Sequence, residues 1–347
     1  VLLSVVVPAR NEALRIRPLL EGLARQEGLG GAPFELVVVD DHSTDGTADV
    51  VRETLAGRLA PLTVVDSRPL PPGWKGKCWA CQQGAEAARG AWLLFLDADV
   101  APGPHLLAAL LGRAQAGRRD VLSVMPRLVL GSPAERLVLP AFMGLLYALY
   151  PLHRVSDARS PVAFANGQVL LVSRAAYARL GGHAAVRDSL LEDTHFGQRA
   201  REAGLGLEVA AAPALADIRM YTDWASLAEG LGKNAVAGFQ SGGARSGWVG
   251  LRQALLAFGP PLLAGAGAAL LWHGAPGGGA ALLAGGGVLL LAWAVGAFLA
   301  HRRYRAGVPW APLLPLGLAL YFGLSARALW RLRRGAGVTW KGRTLGA

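Results

Sequence analysis

Cysteine is scarce in this chain: only Cys78 and Cys81 occur among 347 residues. That excludes a disulfide-stapled secreted scaffold. Charge is scarce too, at 17%, where an ordinary soluble domain carries about 25%. With 52% hydrophobic residues, a disordered chain is excluded and a membrane portion is expected. Acidic residues are missing altogether after Glu229, yet twelve Lys and Arg follow it. Residues 1–229 are near-neutral, so the net charge of +11 belongs to one end. This is not the pattern of an extended nucleic-acid-binding surface, and no nucleic acid partner is expected. The seven His residues show no metal-ligand spacing. No signal peptide is expected at the visible start, because the apolar run Leu2–Val7 ends at Pro8 and is too short for one.

What is present alternates. β-branched runs at 2–7 (LLSVVV) and 34–39 (FELVVV), a short run at 62–65 and WLLFL at 92–96 read as strands. Helical spacing is read over 11–25, 43–55 and 80–88. Strands alternating with helices imply a mostly parallel sheet that binds ligands at the strand C-terminal ends. Asp40-Asp41 and Asp97/Asp99 fall at such ends. Residues 137–152 are apolar but broken by Pro140 and Pro151. They read as a core helix or as one lying in a membrane surface.

Beyond Gly230 the composition shifts. Residues 255–272, 280–300 and 310–330 are apolar stretches of about the ~20 residues a bilayer span needs. Trp248, Trp272, Trp310 and Trp330 stand at their margins, as interfacial aromatics do. The loop at 301–307 carries three Arg and the loop at 273–279 none, which places 301–307 and the N-terminal domain on the cytoplasmic side. Pro309, Pro312 and Pro315 break the start of the third stretch, so it is expected to be re-entrant or in-plane. The expected organisation is an α/β domain over 1–230 and a multi-pass cytoplasmic-membrane region over 231–347.

Three acidic motifs could carry chemistry. Asp97-Ala98-Asp99 offers two carboxylates at a strand end, suited to a hard divalent ion shared with phosphate. Asp40-Asp41-His42-Ser43-Thr44-Asp45-Gly46-Thr47 offers acceptors for a base N–H or ribose hydroxyls, or simply caps a helix. Glu192-Asp193 precedes a helix and could supply a general base or a cap. Cys78-Trp79-Ala80-Cys81 lacks a second pair for zinc and a thioredoxin-like context, so no redox or metal role is expected. Gly277–Gly279 and Gly285–Gly287 read as small-residue helix packing.

In order, Pro8-Ala9-Arg10-Asn11-Glu12, Asp40-Asp41-x-Ser-x-Asp-Gly-Thr, Lys75-Gly76-Lys77, Leu96-Asp97-Ala98-Asp99, Asn166-Gly167 with Arg174, and Gly181-Gly182 before Glu192-Asp193 resemble the inverting family 2 glycosyltransferases of GT-A fold. The resemblance covers about residues 2–240. It implies an α/β fold with a Rossmann-like, mostly parallel sheet. It implies that Pro8, Asn11, Glu12, Asp40 and Asp41 line a nucleotide pocket and that Lys77 sits by the donor. Asp97 and Asp99 would hold the donor through Mg or Mn, direct ligation falling first to Asp99, and Asp193 would be the base. The Q-x-x-R-W signature of processive synthases is absent, which argues for single-sugar transfer. Gly73-Trp74-x-Gly-Lys-x-Trp-Ala, Lys233-Asn234 and the terminal Trp340-Lys341-Gly342-Arg343 resemble the membrane-attached branch acting on carotenoid acids, with hopanoid-associated relatives. That implies a UDP-sugar donor, a lipid acceptor, and Lys233, Lys341 and Arg343 facing diphosphate from the membrane side. The same cations could equally be snorkelling surface charges. Two other readings stay open: a polyprenyl-phosphate glycosyltransferase and a non-catalytic nucleotide-sugar-binding membrane protein. A transporter is disfavoured, since the apolar segments are few and carry no acid.

Overall fold

A computed structural model describes residues 2–30, 34–58, 61–304, 308–340 and 343–345. In chain order the elements begin with β1 (Leu3–Ala9), α1 (Arg17–Leu23), β2 (Phe34–Asp40), α2 (Thr47–Leu55), β3 (Leu62–Asp66), α3 (Gly76–Ala87) and β4 (Trp92–Leu96). They continue with β5 (Val100–Pro102), α4 (Leu106–Ala116), β6 (Val121–Met125), β7 (Arg127–Leu128), α5 (Pro133–Leu149), α6 (Leu152–Val155) and β8 (Val169–Ser173). Then come α7 (Arg174–Leu180), α8 (Glu192–Glu202), β9 (Leu207–Ala211), β10 (Ala216–Ile218), α9 (Trp224–Trp272), α10 (Pro276–Tyr304), α11 (Leu314–Arg333), β11 (Val338–Trp340) and β12 (Arg343–Leu345). The chain divides into two compact units, Val1–Val129 with Tyr150–Met220, and Leu130–Leu149 with Tyr221–Ala347.

The first unit is built on a seven-stranded sheet of order β3-β2-β1-β4-β8-β6-β9. Its pairs are parallel except where β8 meets β4 and β6. Val5, Val6, Val7, Val37, Val38 and Val39 are fully buried, so the β-branched runs form central strands covered on both faces. Each such side chain contributes about 1.5–3 kcal/mol relative to exposure. Strand order reverses between β1 and β4, where ligand crevices open in sheets of this kind. Val6 is registered with Phe95, which brings the ends at Pro8 and Asp97 side by side.

Two of the expected helices start later than their apolar spacing suggests. α1 begins at Arg17, because Asn11 takes a left-handed backbone (φ 53°) and the chain at 11–16 is tied to the next loop. α2 begins at Thr47 behind a left-handed Gly46, with Asp45 Oδ1 accepting from the Thr47 N–H at 3.1 Å. α3 instead starts earlier, at Gly76, which brings Lys77 into its first turn.

α8 lies against the chain at 164–165 through Gly197. A Cβ there would stand 2.6 Å from the Phe164 carbonyl carbon and 2.7 Å from the Ala165 nitrogen. Both are backbone atoms that cannot step aside. Gly197→Ala should therefore cost about 1–3 kcal/mol in denaturant unfolding. It should also depress turnover, because α8 carries Glu192 and Asp193 at its start. Wild-type stability in this variant would show that α8 is held some other way.

The second unit is helical. α5 starts with reciprocal capping: the Ser132 N–H donates to Glu135 Oε2 at 2.6 Å and the Glu135 N–H to Ser132 Oγ at 3.2 Å. Ala141, Leu145 and Leu318 form one core, with Phe258, Tyr321 and Phe322 against it. Val236, Ala328 and Val338 form another. Among the described residues two helical stretches are long and apolar enough to cross a membrane, 133–155 (mean hydropathy 1.2) and 247–272 (mean hydropathy 1.8). They differ in setting: of the most apolar 18 residues, 39% are buried in the first stretch and only 12% in the second. The 26-residue stretch 247–272 rises about 39 Å, enough for the ~30 Å hydrocarbon core. Trp248 and Trp272 at its ends are exposed. The expected segments 280–300 and 310–330 form α10 and α11, whose described parts do not reach the same length and hydropathy.

Candidate active site

The nucleotide-side residues are organised by two loops, at the ends of β1 and β2, zipped together. The Asn11 N–H donates to Ser43 Oγ at 3.0 Å, and Asn11 Oδ1 accepts from the Thr44 N–H at 2.9 Å. The Glu12 N–H donates to Thr47 Oγ1 at 2.9 Å and the Ala13 N–H to Asp45 Oδ2 at 3.0 Å. Arg10 Nη1 donates to the Asp41 carbonyl at 2.6 Å. Asp40 Oδ1 accepts from the Ser43 N–H at 3.1 Å, and Asp41 is buried, its N–H donating to the Ala9 carbonyl at 2.8 Å. Glu12 is buried and ion-paired to Arg15 Nε at 3.0 Å. The motif thus shapes a loop pair beside the crevice, in which Asp45 and Thr47 are structural.

At the crevice itself, four distant segments converge. Lys77 is the second residue of α3, Asp97 follows β4, Gly167 precedes β8, and Glu192 and Asp193 open α8. Lys77 Nζ lies 2.7 Å from Asp97 Oδ1 and 2.9 Å from Glu192 Oε1. Asp193 Oδ2 accepts from the Gly167 N–H at 2.7 Å, and Oδ1 from the Thr194 N–H at 2.7 Å. The Asp97 N–H donates to the Gln168 carbonyl at 3.1 Å, which fixes Gly167 beside it. A Cβ on Gly167 would meet Asp193 Oδ2 and Lys77 Nζ at 3.2 Å each, so glycine leaves the room these groups use. Pro8, Lys77, Cys81, Phe95, Asp97, Gly167, Leu170, His183, Glu192 and Asp193 line one cleft.

The charges interact strongly. Burial alone would depress Lys77, but Asp97, Glu192 and Asp193 outweigh it and hold the ammonium well above its ordinary value. Burial and then the Glu192 charge push Asp193 up to about 6, against Lys77 and the two backbone N–H groups. His183 is buried against Phe95 and Phe196, and burial drives it down to about 4, so it is a neutral ring at pH 7. The Cys78 and Cys81 thiols are pushed far up by burial and are inert as nucleophiles.

Of the residues expected from sequence, Pro8, Lys77, Asp97 and Asp193 share the cleft. Asn11, Glu12, Asp40 and Asp41 form the adjoining loops. Asp99 lies in the turn before β5, partly exposed, and Lys233 lies partly buried on α9. Lys341 and the Arg343 side chain lie outside the described residues. Glu192 as the second partner of Lys77, and Gly167 as the donor to Asp193, had no sequence signal of their own beyond standing inside motifs. No group of three or more His, Cys, Asp or Glu is assembled as a metal cage among the described residues. Asp97 and Asp99 do suit a hard cation that keeps water ligands and takes the rest of its oxygens from substrate phosphate.

A Rossmann-like, mostly parallel sheet with an aspartate and a lysine at its switch point, and a half-buried carboxylate facing them, fits the GT-A class of fold. Residues 4–155 match the model described as "Glycosyl transferase family 2". It resembles the 4,4'-diaponeurosporenoate glycosyltransferases of Staphylococcus haemolyticus (27% identical, 69% of this chain) and Staphylococcus aureus strain MRSA252 (30% identical, 68% of this chain). The matches cover 62% and 61% of those relatives' lengths. A mannosyltransferase from Pyrobaculum calidifontis, solved in complex with GDP-Man and Mn2+, shares the fold over 94% of this chain and 87% of its own (TM-score 0.53, 21% identical).

Proposed function

We propose that this chain is a membrane-attached inverting glycosyltransferase. It moves a single sugar from a UDP-sugar to a lipophilic acceptor, a carotenoid acid or a related isoprenoid-type lipid. The observation that carries this reading is the meeting of Asp97, Lys77 and Asp193 at the switch point of the sheet. The named activity of the staphylococcal relatives supports the acceptor class, and the exposed apolar helix at 247–272 supports membrane attachment.

In this reading the loops at Asn11 and Asp40-Asp41 receive the nucleoside, and the diphosphate lies toward Asp97 and Lys77. Bound Mg or Mn on Asp97 and Asp99 would neutralise charge developing on the leaving diphosphate. Lys77 adds a second fixed cation there. An acceptor hydroxyl attacks the anomeric carbon from the opposite face and Asp193 takes its proton. The new C–O bond forms as the sugar–diphosphate bond breaks, and the configuration inverts. The Gly167 and Thr194 N–H groups hold the Asp193 carboxylate in place meanwhile. An already ionised carboxylate acceptor needs no proton removed. The test is incubation of the full chain with UDP-sugars and a carotenoid acid, a hopanoid and a polyprenyl phosphate, with products read by mass spectrometry. Transfer to a carotenoid or hopanoid acceptor is expected. Product on the polyprenyl phosphate alone, or UDP-sugar binding without transfer to any of them, would overturn the reading.

The pH profile follows from the base. Asp193 faces Glu192, Lys77 and Asp97, and must be ionised to accept a proton. With its value near 6, kcat/KM on a hydroxyl acceptor should fall about tenfold per pH unit below pH 6 and level off above it. A profile flat from pH 5 to 8 on such an acceptor would remove Asp193 from the role.

A further inference from the structure

Lys77 has two carboxylate partners. Its ammonium sits 2.7 Å from Asp97 Oδ1, on one of the two carboxylates expected to hold the donor's cation, and 2.9 Å from Glu192 Oε1. Asp193 stands against the same space, so three carboxylates surround one fixed positive charge. A divalent ion bonded to Asp97 would stand directly beside that ammonium, and two cations cannot share one carboxylate without strong repulsion. An arriving diphosphate changes this, because its charge is large enough to partner both. Glu192 gives Lys77 a second anchor, so the ammonium can release Asp97 without leaving the cleft.

We propose that Lys77 is a positioning residue that stands in for the divalent cation at Asp97 until a nucleotide diphosphate arrives, so that cation and nucleotide load together. This rests on the reading of the cleft as a metal-assisted nucleotide-sugar site. Its consequence is that a bare divalent cation binds the resting protein weakly. The three carboxylates against one lysine still leave the cleft attractive to positive charge once the ammonium is removed.

The experiment is titration of Mn2+ alone into the full chain in detergent, free Mn2+ being followed by electron paramagnetic resonance, with UDP absent and then saturating. Lys77→Met should bind Mn2+ alone about tenfold more tightly than wild type, the scale of one unit charge removed a few ångströms from a dication. Lys77→Gln should do the same, and Lys77→Arg, which keeps the charge, should stay as weak as wild type. UDP should raise Mn2+ affinity more in wild type than in Lys77→Met. A gain in affinity is a result that a merely damaged fold does not produce. Equal or weaker Mn2+ binding by both neutral variants, with wild type binding Mn2+ when UDP is present, would overturn the role of Lys77 alone. Wild type that holds no Mn2+ even with saturating UDP would overturn the nucleotide-sugar reading beneath it.

Discussion

Asp193→Asn is expected to lower kcat on a hydroxyl acceptor by about 10³-fold, within the 10²–10⁴ range that general bases supply. The substitution keeps the shape, and the Gly167 N–H can still donate to the amide oxygen, while the bond from the Thr194 N–H is lost because the amide nitrogen cannot accept. What disappears is the carboxylate that burial and Glu192 hold at about 6, poised to accept a proton near neutrality. UDP affinity should be unchanged, because the nucleoside is assigned to the loops at Asn11 and Asp40-Asp41. On a carboxylate acceptor the loss should shrink, since no proton has to be removed. The comparison of the two acceptors therefore reads the acceptor's chemistry from a single variant. Undiminished turnover on a hydroxyl acceptor would end the assignment.

Asp97→Asn is expected to lower kcat/KM by about 10²–10³-fold, the scale of losing one electrostatic contact to a developing charge. The side chain pairs with Lys77 and lines the cleft at the end of β4. Both groups are partly exposed, and such ion pairs contribute only about 0–1 kcal/mol to folding. The melting temperature should therefore hardly move while activity collapses. Mn2+ dependence measured beside the melting curve separates the site from the scaffold. A large drop in melting temperature with activity retained would make Asp97 a structural residue instead.

Much of the scaffold was legible in the residues themselves. The valine runs at 2–7 and 34–39 and the run at 92–96 cannot be satisfied except as buried strands, and the aspartates that end them mark the side where a ligand enters. Helix starts were read less well. Asn11 holds a backbone group of a neighbouring loop, and Asp45 holds one there as well as the Thr47 N–H of its own helix, and those cross-loop bonds depend on partners more than thirty residues away. The short runs at 121–125 and 169–173 were not read as strands at all. β8 turns antiparallel between β4 and β6, and no local pattern records that direction. The segment read over 137–152 shows its own helical period, but its grouping with the C-terminal unit comes only from packing.

The chain's own order of residues was enough to specify the strands at 2–7, 34–39, 62–65 and 92–96, their carboxylate ends, the apolar stretch at 255–272 and the residues competent for chemistry, because each depends on local periodicity and side-chain type. Tertiary structure alone decided that Lys77 bridges Asp97 to Glu192, that Gly167 holds Asp193, and that Asp45 serves the loop rather than the cleft. Those pairings join segments tens of residues apart, and the crossing of strands at the centre of the sheet is what brings them within a hydrogen bond of one another.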